Sequence, residues 1–391
     1  MLEMFVVLSV GWCKICKAEA KTISSVIGVC ARCLKTVPQA LDLAMNIHIS
    51  YRTKLGLPPN PPHSVDGVKC SLCVNECIIP RDGLGYCGIW INDNGRLRKV
   101  VDRGYGLVYY YLDPLPTNCV ATPVCPGATG VGYPKYAVRK GAEYGYYNLA
   151  VFFAGCNLDC IFCQNWDHKN IVVRKDYRVR YMHSIDKLVH VALDDRITCI
   201  CYFGGDPAPH APYAISVSKQ VLSKVQEKCY VRIKRICWET NGLENPNIMK
   251  IMAELSRDSG GIVKIDWKAW TPAIYQALTG VNGEKALKRI MENVSLVAEM
   301  GKDRTEVPLL VVSTLLVPGY VDVNEVEKIA QFLATLDLEV PYILLAFHPD
   351  HLLRDLPPTS TRHAEEAAKA AKQAGLRKVF IENVWLLGDY Y

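Results

Sequence analysis

The chain has 391 residues, of which 50% are hydrophobic, 21% are charged and 17 are cysteine, and its formal net charge is +6. This composition supports a sizeable packed core and excludes global disorder, and the small net charge gives no reason to expect a nucleic-acid partner. No run approaches the roughly 20 apolar residues of a membrane span, and many cysteines in a long chain without a visible signal peptide indicate metal sites in a reducing cytoplasm.

The first 56 residues contain two Cys-x2-Cys pairs. They are formed by Cys13, Cys16, Cys30 and Cys33. Their spacing is typical of zinc ribbons, and a short segment with little core of its own needs a metal cross-link to fold. We predict a zinc-ribbon-like four-cysteine module, with a second iron–sulfur centre as the alternative. The proline-rich residues 57–64 predict a semi-rigid linker at a domain boundary.

Residues 65–148 form a second cysteine-rich segment, which is also rich in tyrosine and glycine. Four of its cysteines lie close together in sequence, namely Cys70, Cys73, Cys77 and Cys87. Four thiolates at this spacing can bind one zinc ion or one auxiliary iron–sulfur cluster, and the spacing does not distinguish the two. Cys119 and Cys125 could also ligate or react, although isolated thiols more often pack as small apolar side chains.

From residue 149 to residue 391, strand patterns alternate with helical patterns. The predicted strands are 149–153, 198–203, 231–238, 261–267, 309–317, 342–347 and 378–384. The predicted helices include 184–193, 211–228, 284–299, 323–333 and 361–374. Repeated strand–helix units predict a parallel sheet or barrel, and in α/β barrels the chemistry gathers at the carboxyl ends of the strands. We therefore expect the polar motifs that follow these strands to form one site.

Three cysteines in the pattern Cys-x3-Cys-x2-Cys follow the first of these strands. They are Cys156, Cys160 and Cys163. Zinc and ordinary four-cysteine clusters need a fourth protein ligand, so a loop with three thiolates leaves one iron of a [4Fe–4S] cluster open. An open iron can bind a substrate or cofactor. A structural metal site with one unused thiol is the alternative.

With the aromatic Phe162 before its last cysteine, this motif resembles that of the radical S-adenosylmethionine (SAM) superfamily. Residues 155–166 are similar to the branch around pyruvate formate-lyase activating enzyme and the AmmeMemoRadiSam-system proteins, and residues 70–88 resemble the N-terminal cysteine block of the latter. The resemblance implies an α/β fold, an open (β/α)6-type partial TIM barrel with N-terminal cysteine-rich metal-binding modules. It also implies that the open iron binds SAM, which is cleaved to methionine and a 5′-deoxyadenosyl radical with an electron from a donor such as flavodoxin or ferredoxin.

Polar motifs follow the next two strands. After the second strand come Gly204, Gly205, Asp206 and Pro207. The resemblance implies that this Gly-Gly-Asp-Pro motif binds the amino group of SAM, whereas as a bare string it could form any turn. After the third strand, the resemblance assigns ribose binding to Asn241, with Glu239 nearby. An ordinary Asn-Gly turn is the structural alternative there.

Lys268 follows the fourth strand in an Asp-Trp-Lys sequence that resembles the Asp-Leu-Lys of the activating enzymes. The resemblance implies roles for Lys268 in cofactor binding and catalysis, and a purely structural Lys–Asp pair is the alternative. His348 follows the sixth strand and could contact SAM or donate a proton, or it could be an ordinary satisfied polar residue. We expect Phe162, Trp166 and Trp238 to lie around the barrel mouth, where these bulky aromatics could shelter the radical.

We predict a radical SAM enzyme, an oxidoreductase that abstracts hydrogen from a substrate. The substrate could be a glycyl radical enzyme that loses hydrogen from a backbone glycine, or another peptide, nucleic acid or small molecule. Two alternatives come from other classes, a non-catalytic iron–sulfur electron carrier and a zinc-bearing nucleic-acid binder. The motifs at the strand ends have no use in a carrier, and the even spread of charge argues against a binder.

Overall fold

The structure is a computed structural model that describes residues 10–117, 119–227 and 233–391. Its N-terminal part contains a short antiparallel strand pair and two helices. They are β1 (Gly11–Trp12), β2 (Glu19–Ala20), α1 (Ala31–Thr36) and α2 (Pro38–Lys54). Helix α2 begins at Pro38 because proline needs no N–H partner in the first helical turn, and its fixed φ suits a helix start.

The next segment contains two small hairpins, one long strand and one short helix. Their bounds are β3 (Val68–Lys69), β4 (Ile78–Ile79), β5 (Trp90–Asp93), β6 (Arg96–Lys99), β7 (Tyr105–Pro114) and α3 (Pro126–Thr129). Strand β3 pairs with β4 and β5 pairs with β6, both antiparallel. The second cysteine set belongs to the first hairpin and the loop after it, since Cys70, Cys73 and Cys77 lie between β3 and β4 and Cys87 follows β4.

The remaining residues alternate between strands and helices. The strands are β8 (Tyr147–Phe153), β9 (Met182–Ser184), β10 (Ile197–Phe203), β11 (Arg235–Thr240), β12 (Val263–Asp266), β13 (Leu310–Leu316), β14 (Tyr342–Ala346) and β15 (Val379–Glu382). The helices are α4 (His168–Val173), α5 (Lys175–Tyr181), α6 (Ile185–Ala192), α7 (Ala211–Glu227), α8 (Pro246–Ser259), α9 (Pro272–Thr279), α10 (Gly283–Gly301), α11 (Val323–Leu336) and α12 (Thr361–Gln373).

One sheet in the order β15-β14-β13-β12-β11-β10-β8-β7-β9 organises these elements. Strands β8 and β10 to β15 are parallel to one another, and β7 pairs antiparallel with both β8 and β9. This arrangement confirms the predicted open α/β barrel, since in the described residues the end strands β15 and β9 each have one neighbour. Each of the seven predicted strands coincides with an observed strand. The predicted third strand begins at 231, and residues 231–232 lie outside the described residues.

The two faces of the sheet are covered differently. On the outer face, side chains such as Val151, Tyr202 and Trp238 pack into one large core with the helices. On the inner face, a smaller apolar cluster includes Ala121 and Val307 and lies beside the residues that lead into β12 and β13. The inner face is therefore closed by the segment around α3 at one end and leaves the carboxyl ends of the strands open at the other.

The N-terminal cysteines share the large core with the barrel, since Cys13 and Cys33 belong to the same buried cluster as the outer face of the sheet. The division of the chain into segments 1–56, 57–64, 65–148 and 149–391 stays a prediction. Among the described residues, no helix is both long enough and apolar enough to cross a membrane.

Candidate active site

The carboxyl ends of the parallel strands surround a cavity with a volume of about 190 Å³. Most residues predicted for the radical centre and its cofactor line this cavity. They are Cys156, Cys160, Phe162, Cys163, Gly204, Gly205, Asp206, Glu239, Asn241 and Lys268. Two predicted residues, Pro207 and His348, are not among its described lining residues. The fold thus brings together motifs from four different strand ends.

The loop that carries the three cysteines follows β8 and is hydrogen-bonded to the end of α9. The N–H of Asp159 donates to Thr279 O at 2.8 Å, and the N–H of Ile161 donates to Leu278 O at 3.1 Å. Buried backbone groups rarely stay unpaired, and here the bonds that a loop lacks internally are supplied by another element. The helix end thereby fixes the path of the loop.

A backbone N–H group contacts one thiol of this loop, and burial changes the pKa of another. The N–H of Leu158 lies 3.3 Å from Cys156 Sγ and can donate to it. Burial raises the pKa of Cys160 to about 12. At neutral pH this thiol therefore keeps its proton until a metal centre displaces it, because metal binding deprotonates a coordinating thiol. The donor set fits a soft metal cluster better than a free reactive thiolate.

Asp159, between the first two cysteines, is 1% exposed and lies among cationic side chains. From α2, His48 Nδ1 lies 3.0 Å from Asp159 Oδ2 and Arg52 Nη1 lies 3.5 Å from Oδ1. Lys169 contacts the same carboxylate from α4. Burial favours the neutral acid, but His48, Lys169 and Arg52 together hold the pKa of Asp159 well below its usual range. A helix of the N-terminal part therefore anchors the cysteine loop.

The Gly204–Gly205 turn approaches the end of β8 so closely that side chains do not fit. Both glycines have positive φ, 64° and 47°. A Cβ atom on Gly205 would lie 2.3 Å from Phe153 O and 2.4 Å from Gly155 O, and one on Gly204 would lie 1.8 Å from a ring carbon of Phe152. Glycine is required here both by conformation and by space. The turn presents its backbone to the cavity beside the cysteine loop.

Asp206 is buried and ties two strand ends together. Its carboxylate accepts hydrogen bonds from the N–H groups of Ala208 and Asn241, each at 2.8 Å, and from Thr240 Oγ1 at 3.1 Å. Burial raises the pKa of Asp206 to about 6, although these donors favour the ionised form. The carboxylate therefore holds the loop after β11 against the turn after β10.

Asn241 joins the third strand end to the cysteine loop. Its Nδ2 donates to Asn157 Oδ1 at 2.6 Å and lies 3.9 Å from Cys156 Sγ. Glu239, two residues earlier, is paired with Lys264, with 3.3 Å between Oε2 and Nζ. The predicted ribose-binding residues thus lie at the cavity wall, Asn241 beside a thiol and Glu239 beside a buried cation.

Two lysines flank Asp266 at the fourth strand end. Its carboxylate lies 3.0 Å from Lys264 Nζ and 3.1 Å from Lys268 Nζ, and it also accepts from Ser313. Burial disfavours the charge on Lys268, but Asp266 outweighs burial and raises the pKa of this lysine. Lys268 Nζ also lies 5.8 Å from the centroid of the Phe162 ring. The cavity wall therefore keeps a cation that can attract a carboxylate or a negatively charged cluster.

Three predicted residues take positions that differ from expectation. His348 is paired with Asp350, with 2.8 Å between Nδ1 and Oδ2, and its side chain is 40% exposed. It is not among the described residues that line the cavity. Trp238 faces the helices, where its Nε1 donates to Met252 O at 3.0 Å. Trp166 stacks on His351. Alternation along a strand and helix packing set these directions, so only Phe162 of the expected aromatics lines the cavity.

His168 lines the cavity and was not singled out by any sequence pattern. It is the first residue of α4, 5% exposed, and its Nδ1 has no hydrogen-bond partner among the described residues. Burial lowers the pKa of His168 to about 3, so the ring is neutral. Its nearness to Cys163 in sequence was the available signal, because a helix that starts just after a cluster loop must pack beside it.

The N-terminal cysteines form a compact group. The sulfur atoms of Cys13, Cys16, Cys30 and Cys33 all lie within 4.8 Å of one another, and Cys16 Sγ lies 3.8 Å from Cys30 Sγ. Tetrahedral zinc with bonds of about 2.3 Å separates its thiolates by about 3.8 Å. Burial opposes ionisation of Cys13, but hydrogen bonds from the backbone of Cys16 and Cys30 lower its pKa to about 6. This group could hold one metal ion.

The second cysteine set lines a small cavity of about 20 Å³ next to the cysteine loop. Its members are Cys70, Cys73, Cys77 and Cys87. Asn75 Nδ2, within this set, donates to Asn157 O at 2.7 Å. Among the described residues, the N-terminal cysteines are the group whose ligand atoms all lie within 4.8 Å of one another, so these four thiols are spaced more widely than the N-terminal ones. The set adjoins the loop that carries Cys156.

Residues 150–333 match the Radical SAM superfamily. This range contains the cysteine loop, the glycine turn and the other strand ends up to β13, which together form most of the cavity wall. This match agrees with the resemblance of the cysteine motif to that superfamily.

The chain is similar to two uncharacterized proteins of Methanocaldococcus jannaschii. MJ0808 is 26% identical over 321 residues, which cover 81% of this chain and 81% of that protein. MJ0674 is 26% identical over 236 residues, which cover 57% of this chain and 61% of that protein. The first similarity extends well beyond the radical SAM domain.

Two solved structures show a partial likeness. A domain of pyruvate-formate lyase-activating enzyme from Bacteroides vulgatus is 20% identical, with a TM-score of 0.36, over 47% of this chain and 98% of that one. SuiB from Streptococcus suis is 14% identical, with a TM-score of 0.41, over 59% of this chain and 48% of that one.

Proposed function

We propose that this chain, which carries a radical SAM domain in residues 150–333, binds a [4Fe–4S] cluster at the loop after β8 and uses it to cleave SAM and abstract hydrogen from a substrate. One observation carries the proposal. The thiols of Cys156, Cys160 and Cys163 line the same cavity as the Gly204–Gly205 turn, although they come from different strand ends. An electron carrier would have no need for the glycine turn beside its cluster.

The thiols fit a cluster with an open iron. Their sulfur atoms are not all within 4.8 Å of one another in the described structure, as one shared ion would require, and a cluster binds each thiolate through a different iron. When bound, the cluster supplies the electron for reductive cleavage of SAM. Lys268 supports it by placing a positive charge beside the thiolates and the Phe162 ring.

The strand ends offer matched groups for SAM. Backbone carbonyls of the Gly204–Gly205 turn can accept from its ammonium group, and Lys268 can donate to its carboxylate. Asn241 and Glu239 can bind ribose hydroxyls from the third strand end. Phe162 and the neutral ring of His168 complete the wall and exclude water, which protects a reactive radical from side reactions.

The finer part of the proposal concerns the substrate and the partners. We propose activation of a glycyl radical enzyme, by removal of hydrogen from a backbone glycine, on the strength of the motif resemblance at residues 155–166. Modification of another peptide, nucleic acid or small molecule is the alternative. A flavodoxin or ferredoxin would supply the electron. We further propose zinc at the N-terminal group, and zinc or an auxiliary cluster at Cys70, Cys73, Cys77 and Cys87.

The central test is anaerobic reconstitution with iron and sulfide, reduction, and measurement of 5′-deoxyadenosine released from SAM. We expect turnover by the intact chain and a loss of more than 1,000-fold in a Cys160→Ala variant, because the cluster loses one of its ligands. Lys302→Ala is the control, since this side chain is exposed just after the end of α10, where it pairs with the exposed Glu299. Release of 5′-deoxyadenosine by Cys160→Ala at the control rate would contradict the proposal.

A further inference from the structure

A strongly basic segment follows the cysteine loop in the chain and lies at the surface. Residues 174–180 carry four basic side chains and one acidic one, a net charge of +3 in a chain whose formal net charge is +6. The basic residues are Arg174, Lys175, Arg178 and Arg180. A local excess of one charge attracts a partner of the opposite charge and speeds their encounter.

One exposed face of α5 carries most of this charge. Lys175, Asp176, Val179 and Arg180 are all exposed, and the helical period places them side by side. Val179 is 74% exposed although it is apolar. We call these four residues, together with the exposed Arg174 just before them, the basic face. An apolar side chain surrounded by charged ones is the arrangement of a protein–protein interface, in which polar groups form the rim.

Contacts within the segment hold the basic face in place. Arg178 Nε donates to Val172 O and thereby joins α5 to α4. Arg174 Nη2 lies 2.8 Å from Asp176 Oδ2. The face is therefore ordered before any partner arrives, which reduces the entropy that docking would cost.

Helix α4 connects the basic face to the cysteine loop. Its first residue, His168, comes five residues after Cys163 and lines the cavity. The next residue, Lys169, contacts the carboxylate of Asp159 between the first two cysteines of the loop. At about 1.5 Å per helical residue, Arg174 lies about 9 Å from His168 along the axis of α4. The basic face is thus a neighbour of the cavity that contains the three thiols.

The chain between Cys163 and α4 is open to solvent. Gln164 and Asn165 both line the cavity, and both are exposed. A protein bound at the basic face would therefore lie close to the thiols of the cysteine loop. Closeness of this kind is what transfer of an electron between two proteins requires.

The composition of the basic face favours an acidic protein over a nucleic acid. A phosphate backbone is bound by a row of cations, whereas Asp176 and Val179 interrupt the cations here. A protein partner can cover Val179 and place its carboxylates beside Arg174, Lys175 and Arg180. Charge complementarity and the exposed apolar centre therefore point to the same kind of partner.

We propose that the basic face is the docking surface of an acidic electron-transfer protein, which reduces the cluster of the cysteine loop. This inference rests on the proposed function, because it presupposes that cluster. One electron leaves the reduced partner and enters the oxidised cluster, so the partner is oxidised by one electron and the cluster is reduced by one. No bond is made or broken in this step.

The first test measures electron exchange with a plant-type [2Fe–2S] ferredoxin, which is an acidic protein. The chain with its cluster is mixed anaerobically with reduced ferredoxin, without SAM, at ionic strengths of about 0.05 M and about 0.3 M. We expect the second-order rate constant at the lower ionic strength to fall about 10-fold in a Lys175→Glu, Arg180→Glu variant. The difference should shrink at the higher ionic strength, because salt screens the attraction.

A second double variant is the matched control. Lys328→Glu with Lys369→Glu makes the same change in net charge at exposed positions of α11 and α12. Dithionite, which needs no docking surface, should yield the same amount of reduced cluster in both variants and in the parent. Equal rates with ferredoxin in the two variants would overturn the docking proposal and leave the proposed function intact. A parent chain without a reducible cluster would instead contradict the proposed function.

Binding to a chain without the loop cluster tests docking independently of that function. Full-length chain with Cys156→Ala, Cys160→Ala and Cys163→Ala is titrated with ferredoxin in a calorimeter. We expect the Kd to rise about 10-fold when the charge reversal of the basic face is added, and only at the lower ionic strength. Adding Val179→Ser instead should raise the Kd about 5-fold at both ionic strengths, because salt does not screen an apolar contact.

Two results of the titration would overturn the proposal. One is an unchanged Kd in both variants of the basic face. The other is tighter binding of a short nucleic-acid duplex than of ferredoxin, abolished by the charge reversal, which would make the basic face a nucleic-acid site.

Discussion

The N-terminal cysteine group and the cysteine loop after β8 use the same side chain in opposite ways. In the first, four sulfur atoms converge within 4.8 Å and leave no open position on a metal ion. In the second, three more widely spaced thiols line an open cavity together with glycines, an amide and a lysine. A closed set of ligands suits a structural metal, and an incomplete set suits chemistry.

The N-terminal cysteine group and the cysteine loop are also physically connected. Helix α2 begins shortly after Cys33 and carries His48 and Arg52 to Asp159 in the cysteine loop. A metal ion in the first region would therefore support the second through a buried ion pair. The following experiments separate the two roles, beginning with the largest expected effect.

The largest expected effect is the loss of stability in a Cys33→Ser variant of the N-terminal group. Structural zinc contributes on the order of 10 kcal/mol to the folding of small zinc modules, so loss of one ligand should lower the free energy of unfolding by about 5 kcal/mol or more. Urea denaturation and zinc content measure this loss. Ser216→Ala, on the exposed side of α7, is the control. Unchanged stability with unchanged zinc would mean that the group has no structural role.

Asp159→Asn tests the connection between the two regions. It leaves His48, Arg52 and Lys169 without their buried carboxylate, and such a loss lowers the stability of a protein by about 3–5 kcal/mol. Asp350→Asn is the control, because its pair with His348 is partly exposed and should contribute less than about 1 kcal/mol. Thermal and urea unfolding compare the two. Equal effects would show that α2 does not anchor the loop.

Gly205→Ala tests how the open site depends on close backbone approach. The new Cβ would lie 2.3 Å from Phe153 O, so the turn must move away from the cysteine loop. We expect cleavage of SAM per cluster to fall by about 10- to 100-fold, or about 1.4–2.7 kcal/mol of transition-state stabilisation. Gly141→Ala is the matched control, because a Cβ atom there would have no neighbouring atom within 4 Å. Equal rates in both variants would show that the turn does not bind SAM.

The smallest expected effect is the pH dependence of stability that arises from His210, which packs at the end of β8. It stacks on Phe153, and its Nε2 donates to Ala154 O at 3.0 Å. Burial lowers the pKa of His210 to about 3, so the unfolded chain binds a proton below pH 6.5 that the folded chain does not. Stability should therefore fall as the pH falls, by about 1.4 kcal/mol between pH 7.5 and 5.5.

In a His210→Gln variant, the share of the stability loss that comes from protonation of this histidine should vanish. The glutamine side chain can still donate a hydrogen bond to Ala154 O. Urea denaturation of both proteins at pH 7.5 and 5.5 gives the comparison, and the difference between the proteins cancels acid effects that they share. If the variant loses as much stability as the parent between the two pH values, His210 does not stay neutral in the folded protein.

The amino-acid sequence alone was enough to predict the α/β barrel, its seven parallel strands and the motifs that line the cavity. These features depend on short patterns, such as apolar runs and the spacing of cysteines, and such patterns act between neighbours in the chain. The match of residues 150–333 to the Radical SAM superfamily agrees with the resemblance of the cysteine motif. Where the motif lay directly at a strand end, as with Cys156 and Gly204, the fold placed it at the cavity.

Only the tertiary structure decided which side chains meet across the fold. It turned Trp238 towards the helices and left His348 outside the cavity, and it brought α2 to Asp159. It also gathered Cys119, Cys199 and Cys237 around one void. The physical reason is that alternation along a strand tells which residues share a face, whereas the partner of that face is set by packing between segments far apart in the chain.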